Sequence, residues 1–489
     1  MPVSWSTIAS HTAAPPIPKD RYDILTNTYR AEPLRLVLLE ALGLLRTPLC
    51  SRASPALPLV PHCLVVGIDT EAWTWNTDEM TEIGIVIAEY KDGSKLKGHF
   101  GDYAENVLKK MKYHHLRICE HVHLKSHTKW RRGAEGNRFG KSRFVTFAEA
   151  RDILDATFNQ PIVSDDPDLA GMKRPVVLVG HALSHDKDNF QKLGLQYDFK
   201  QNGTVVAEID TQQLVKELKA WTHPVCSNND IGLDTLCQEV FGFAHADPHT
   251  ALNDAARTVI CAVNLALRNW DKRYKTKKTM QEVALRIEQH SQHVCESRWG
   301  TEFCCTRCGG RDHNNDQDLC KTVVHCAACE RFDETRWFGN DIDKTKHIGS
   351  HIEQYCLHVA EFNAWKRRVF DAARKNNRLP HGPPPATHHP SNWRGVWPMR
   401  TASDVLVPES RLPERLPVLI PAGYVPSTSA SVPGVKVVTF QSTGRKRAEL
   451  AKGFRRKAVS ADAVSNKEAM NEKSGTGWSS DDVWNATPQ

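Results

Sequence analysis

"CLVVGIDTEAW" (Cys63–Trp73) starts as an apolar run, Leu64-Val65-Val66-Gly67-Ile68, and breaks into two acids, Asp69 and Glu71. A run of that length before a polar break predicts a buried strand. Residues i and i+2 of a strand point to the same side, so both carboxylates share one face. Like charges so close repel, and burying both is costly. The pair is either a solvated strand end or half of a cation site.

Working outward, "TEIGIVIAEY" (81–90) predicts a second strand and "KLKGHF" (95–100) a third, together a β-meander. A basic, His-rich stretch follows at 109–144. Then "TFAEARDILDATF" predicts a helix, "PVVLVGH" (175–181) a strand and "DKDNFQKLGL" a helix. "VVAEIDTQQL" predicts a strand running into a turn, and "GLDTLCQEVFGF" and "TALNDAARTVICAVNLALRNW" predict helices. A meander followed by alternating helix and strand is an α/β pattern, with a mixed sheet of five strands covered on both faces.

The whole chain has 489 residues, enough for two or three domains. Its net charge of +7 permits a nucleic-acid partner without requiring one. The N-terminal stretch lacks a basic start followed by an apolar core, so no secretory signal is expected. No window approaches the roughly 20 apolar residues of a membrane span, so no membrane partner is expected either. The organisation read from the sequence is an N-terminal extension with one helix, "PLRLVLLEALGLL" (33–45), over 1–60, and an α/β domain over 61–272. A linker helix over 273–294, a cysteine-rich module over 295–360 and a mostly disordered basic tail over 361–489 follow.

Three separated segments carry acids at or near element ends. They are Asp69-Thr70-Glu71, "GHALSHDKDNF" with Asp186, and "HTALNDAARTV" with His249 five residues before Asp254. Each alone is a common pattern, and Asp188 competes with Asp186. In this order and setting they would gather four carboxylates at one end of the sheet. Such a cluster needs hard cations, and oxygen ligands suit Mg²⁺ or Mn²⁺. Two such ions about 3.5–4 Å apart can hold the attacking and leaving oxygens of a phosphodiester. A histidine, with an ordinary pKa of about 6.5, suits the task of general base.

"GIDTE", "VGHALSHD" and "HTALNDA" resemble the three motifs of the DEDDh 3′→5′ exonucleases of the ribonuclease H-like superfamily, over roughly residues 62–270. The resemblance implies that Asp69, Glu71, Asp186 and Asp254 are metal ligands and that His249 is the general base. Asp210, in "EIDTQQL", matches a recurrent family feature and reads as a turn or supporting residue. The stretch 109–144 would then flank the site. Its cations would meet phosphates, and Tyr113, Trp130 and Phe139 would stack on unpaired bases.

Eight of the 14 cysteines fall between Cys295 and Cys356. Cys305, Cys308, Cys326 and Cys329 form C-x2-C-x17-C-x2-C, the spacing of a structural four-thiolate zinc site. Cys304, Cys320, His325, His347, His351, Cys356 and His358 are alternative ligands. "HIGSHIEQYC" (347–356), with H-x3-H spacing, would join the second knuckle or build a second site.

In the polar tail, Trp478 and Trp484 stand in "SGTGWSSDDVWNATPQ", and Trp393 and Trp397 in "NWRGVWP". An exposed Trp in such a setting resembles the GW-type hooks that dock into Argonaute pockets. With the exonuclease motifs, the combination is similar to the fungal Argonaute-interacting exonucleases of the quelling type, which remove passenger strands of small-RNA duplexes. That likeness implies single-stranded RNA as substrate, with DNA as an alternative, and an Argonaute partner. The expected compartment is the cytoplasm. The basic run 444–458 leaves room for the nucleus. The rival expectation is a non-catalytic adaptor that binds Argonaute or RNA through its tail and zinc module. A phosphodiesterase acting on small nucleotides ranks last, because it needs neither the module nor the basic stretch.

Overall fold

The computed structural model describes residues 19–367, apart from 97, 125–132, 193, 224–229, 268–276, 295–297, 315–318, 332–347, 358, 361–362 and 365–366. The expectations for the tail, Trp393, Trp397, Trp478 and Trp484 among them, lie outside the described residues, as do Trp130, His347 and His358.

Six strands form one mixed sheet: β1 (Leu64–Trp73), β2 (Asn76–Glu89), β3 (Lys112–Ile118), β4 (Ser142–Val145), β5 (Val176–Gly180) and β6 (Val205–Asp210). Their spatial order is β4-β3-β2-β1-β5-β6. β1 and β2 are antiparallel, as are β2 and β3, while β5 runs parallel to β1, β6 to β5 and β4 to β3. The longer helices are α1 (Lys19–Ala31), α2 (Leu34–Ala41), α3 (Phe147–Phe158), α4 (Leu183–Phe190), α5 (Thr211–Glu217), α6 (Ala251–Ala266) and α7 (Met280–Val294). The arrangement is α/β and consistent with a ribonuclease H-like fold. Among the described residues, no helix is long and apolar enough to cross a membrane.

Two expectations are corrected. The sheet has six strands rather than five, and the third is Lys112–Ile118 rather than "KLKGHF". The chain turns at Leu96 and His99 instead: Leu96 N donates to Gly93 O and His99 N to Leu96 O, with Gly98 at φ +86°. The true strand escapes a hydropathy reading because its centre is His114-His115, and both are buried. His115 Nε2 donates to Glu82 at 2.9 Å, and its Nδ1 pairs with Ser142 Oγ at 2.7 Å. His114 packs on Trp299, and burial, then the Lys112 charge, hold its pKa down at about 4.

The strand alternation of β1 sends Leu64, Val66 and Ile68 into one core layer and Val65 into the other. The first layer is completed by α3 and α4 through Ile153, Leu154, Phe158, Leu183 and Phe190. The second is completed by α1, α2, α6 and α7 through Leu25, Leu38, Val259 and Ile287. Every residue of α6 is buried, so it runs through the middle of that layer. Asp69 and Glu71 follow Val65 and Gly67 on the α6 side.

Two glycines set how closely α6 approaches. A Cβ on Gly67 would meet Val259 Cγ2 at 2.3 Å, and one on Gly84 would meet Ala251 O at 2.3 Å. Gly84 pairs directly with Asp69 across β1 and β2. The first turn of α6 therefore presses onto the sheet beside Asp69.

Candidate active site

Each expected acid has a local reason for its position. Asp69 and Glu71 sit in the half of β1 beyond its partnership with β5, which ends at Gly67. Asp186 lies in the first turn of α4, and α4 starts from Ala182 in the left-handed region, φ +55°. Asp210 accepts the amides of Ala182 (3.2 Å), Leu183 (2.9 Å) and Gln212 (2.9 Å). It thus caps α5 and fixes the entry to α4, so Asp210 supports the position of Asp186. Asp186 points inward and is buried, whereas Asp188 is exposed. Its Oδ1 accepts from Thr70 N at 2.9 Å and Thr70 Oγ1 at 2.7 Å.

Asp254 lies in the first turn of α6. Its Oδ2 accepts the His249 amide at 3.0 Å and its Oδ1 accepts from His245 Nε2 at 2.7 Å. His249 adopts φ +60°, an uncommon conformation for a residue with a side chain. Its half-exposed ring brings Nδ1 within 3.4 Å of Glu71 Oε1. Donor atoms of Glu71, His249 and Asp254 lie within 4.8 Å of one another.

The electrostatics favour a cation among these acids. Burial pushes the Asp69 carboxyl well above the usual carboxylate range, and the charges of Asp186, Asp254 and Glu71 push the same way. Burial raises Asp186 to about 7 against the opposing Thr70 hydrogen bonds. Glu71 is raised by burial, which outweighs its hydrogen bond to His249. The Asp69 Oδ2 atom is buried with no hydrogen-bond partner. A buried carboxylate oxygen normally finds a partner, so this orphan among acids fits a hard divalent ion.

Residues 64–265 match a family model described as the DNA polymerase III subunit epsilon-like, C-terminal domain. The match supports a domain of the DEDDh exonuclease superfamily. It supports a nuclease function in general, and that superfamily usually uses divalent metals. The matched segment is less than half of the chain's 489 residues. No curated protein matches the chain.

Two residues beside these acids were missed in the sequence. His245 is buried beside Asp254, and no spacing rule marks a histidine nine residues before an acid. Glu82 stands opposite Glu71 on β2, accepts the Ala251 amide at 3.3 Å and pairs with His115. A buried acid hydrogen-bonded to a histidine from another strand leaves no local trace in the sequence. Of the three aromatics expected to stack on bases, the two that are described lie in the core. Tyr113 and Phe139 are buried and stack on each other, with centroids 5.6 Å apart, and Tyr113 OH donates to Leu108 O.

The expected single four-thiolate site is also corrected. The knuckles separate into two groups, each able to hold a metal ion: Cys305, Cys308, His313 and Cys320, and Cys326, Cys329, His351 and Cys356. Cys305 and Cys308 meet His313 and Cys320 before the chain reaches Cys326, and Cys326 and Cys329 meet His351 and Cys356 beyond them. Cys304 joins neither group; it packs with Cys119, Val122 and Tyr355 between the α/β domain and the module. His325 pairs with Glu330.

Proposed function

We propose that the DEDDh domain is a metal-dependent 3′→5′ exonuclease acting on single-stranded nucleic acid. The observation that carries this reading is the orphaned, buried Asp69 Oδ2 beside Glu71, Asp186 and Asp254, with His249 at the rim. Asp69, Glu71, Asp186 and Asp254 would hold two Mg²⁺ or Mn²⁺ ions. Bound there, such ions supply charge stabilisation to the attacking and leaving oxygens of a phosphodiester.

The chain's own residues do the rest. Glu71, with Oε1 3.4 Å from His249 Nδ1, orients the ring that would take the proton of the attacking water. His245 and the His249 amide hold the two oxygens of Asp254, so its carboxylate cannot swing away. Thr70 holds Asp186 through Oδ1 alone, with both the Thr70 amide and the Thr70 hydroxyl.

The motif resemblance extends the proposal to the passenger strand of small-RNA duplexes, removed in Argonaute-dependent silencing. Trp478 and Trp484 would be the Argonaute contact. The cytoplasm, and the nucleus through residues 444–458, are the proposed places of action.

Asp69→Ala and His249→Ala are the test. Each should lower the rate on a labelled oligonucleotide by about 10²-fold or more in either metal. Circular dichroism should be unchanged. Wild-type protein that leaves the oligonucleotide intact in both metals contradicts the reading.

A further inference from the structure

We propose that the cysteine-rich module binds two zinc ions, each through three thiolates and one imidazole. The ligands are Cys305, Cys308, His313 and Cys320 for the first, and Cys326, Cys329, His351 and Cys356 for the second. Tetrahedral zinc, with Zn–S about 2.3 Å and Zn–N about 2.0–2.1 Å, implies ligand-to-ligand edges of roughly 3.5–3.8 Å. The edges Cys308 Sγ to His313 Nε2, Cys329 Sγ to His351 Nε2 and Cys329 Sγ to Cys356 Sγ measure 3.4, 3.6 and 3.4 Å. A disulfide needs about 2.05 Å, so the last pair is two thiols.

The surroundings of the ligands point the same way. Both imidazoles turn Nε2 toward the sulfurs and engage Nδ1 with a neighbouring oxygen. His313 Nδ1 meets Asp312 Oδ1 at 2.6 Å and His351 Nδ1 meets Ser350 Oγ at 2.8 Å. That is the usual way a metal-bound histidine is oriented. Backbone amides point at the sulfurs as well: Gly310 N to Cys308 Sγ at 3.3 Å and Cys329 N to Cys326 Sγ at 3.5 Å. Gly309, at φ +76°, makes the first knuckle's turn and donates to Cys305 O.

The apolar cluster around the second group is itself made of Cys326, Ala328, Cys329 and Cys356. Such a cluster has too little hydrocarbon to hold a fold, and a metal supplies what is missing. Sulfur-rich sets favour zinc over Mg²⁺ or Ca²⁺.

The two groups are also joined. Arg307, inside the first knuckle, donates to Cys320 O, Gly349 O and Ser350 O, and its own carbonyl accepts the Ile352 amide. Losing one ion therefore loosens the frame of the other. This inference stands apart from the nuclease reading.

Elemental analysis of the purified full-length chain tests it directly. Two zinc ions per native chain are expected. Cys320→Ser and Cys356→Ser should each lower the content below two, whereas His313→Cys and His351→Cys, which keep four ligands per site, should retain both ions. A native content below two overturns the proposal, with no variant needed. So does a content that neither serine variant changes, the outcome for one site built from Cys305, Cys308, Cys326 and Cys329.

Discussion

Asp69 concentrates the chemistry of the molecule in one atom, an Oδ2 with no partner among four acids. The acids around it were legible because three short motifs carry them at recognisable spacing. Their supports were not, since Glu82 and His245 act through neighbours that sequence distance hides. His245 is a positioning residue, held 2.7 Å from Asp254. His245→Leu should weaken activation by Mn²⁺ about 10–100-fold, the usual cost of losing a partner that orients a metal ligand. His245→Gln, which still donates, should recover much of it. A metal titration of activity reads both.

Gly84 gives a second residue-scale prediction. An alanine there would place its Cβ 2.3 Å from Ala251 O and 2.6 Å from Leu252 Cα, backbone atoms that cannot turn aside. Gly84→Ala should destabilise the fold by about 1–3 kcal/mol in denaturant titration. It should also shift α6 and depress nuclease activity beyond the loss of folded protein.

At the scale of elements, hydropathy exposed β1, β2, β5, β6 and α6, each of which carries an apolar run or an apolar face. It concealed β3 and β4, because a strand with two buried histidines reads as a basic loop. What stabilises them is chemistry between strands, Glu82 with His115 and His115 with Ser142. The helix α7, read as a link, buries Met280, Val283, Ala284 and Ile287 in the layer that holds α6. Its Glu288 pairs with Arg138 and with buried Arg257.

Glu105 ties α7 to the turn before β3, meeting Lys109, Lys278 and Arg286. Burial alone would raise its carboxyl. The three cations outweigh burial and hold it at about 2, against an ordinary 4.5. A lowered folded pKa means the contribution is complete above pH about 4.5 and is lost as pH falls toward 2. Thermal melts of wild type should fall across that window, and Glu105→Gln, less stable at neutral pH, should show a shallower fall.

For the whole molecule, the module is built onto the edge of the nuclease sheet. Phe144 of β4 and Thr301 exchange two main-chain hydrogen bonds, which covers the outer strand. Arg311 fastens the join through Glu149, Phe144 O and Thr301 Oγ1. Beyond Cys356, Leu357, Ala360 and Ala364 pack with Trp73 and Trp75 of the hairpin that carries Glu71 at its base. None of this docking was legible, because contacts across more than 150 residues leave no local pattern. Arg311→Ala should speed amide hydrogen exchange at Phe144 and Thr301 without altering exchange in α6.

The central claim is that the carboxylate cluster at the end of β1 cuts nucleic acid from its 3′ end with divalent ions. The most direct measurement is digestion of one single-stranded RNA labelled either at its 5′ end or at its 3′ end, with Mg²⁺ or Mn²⁺ added or chelated. The account predicts a ladder shortening progressively from the 5′-labelled strand and immediate release of labelled mononucleotide from the 3′-labelled strand, both abolished by chelation. Mononucleotide released first from the 5′ label, or cleavage undiminished without divalent ions, would contradict it.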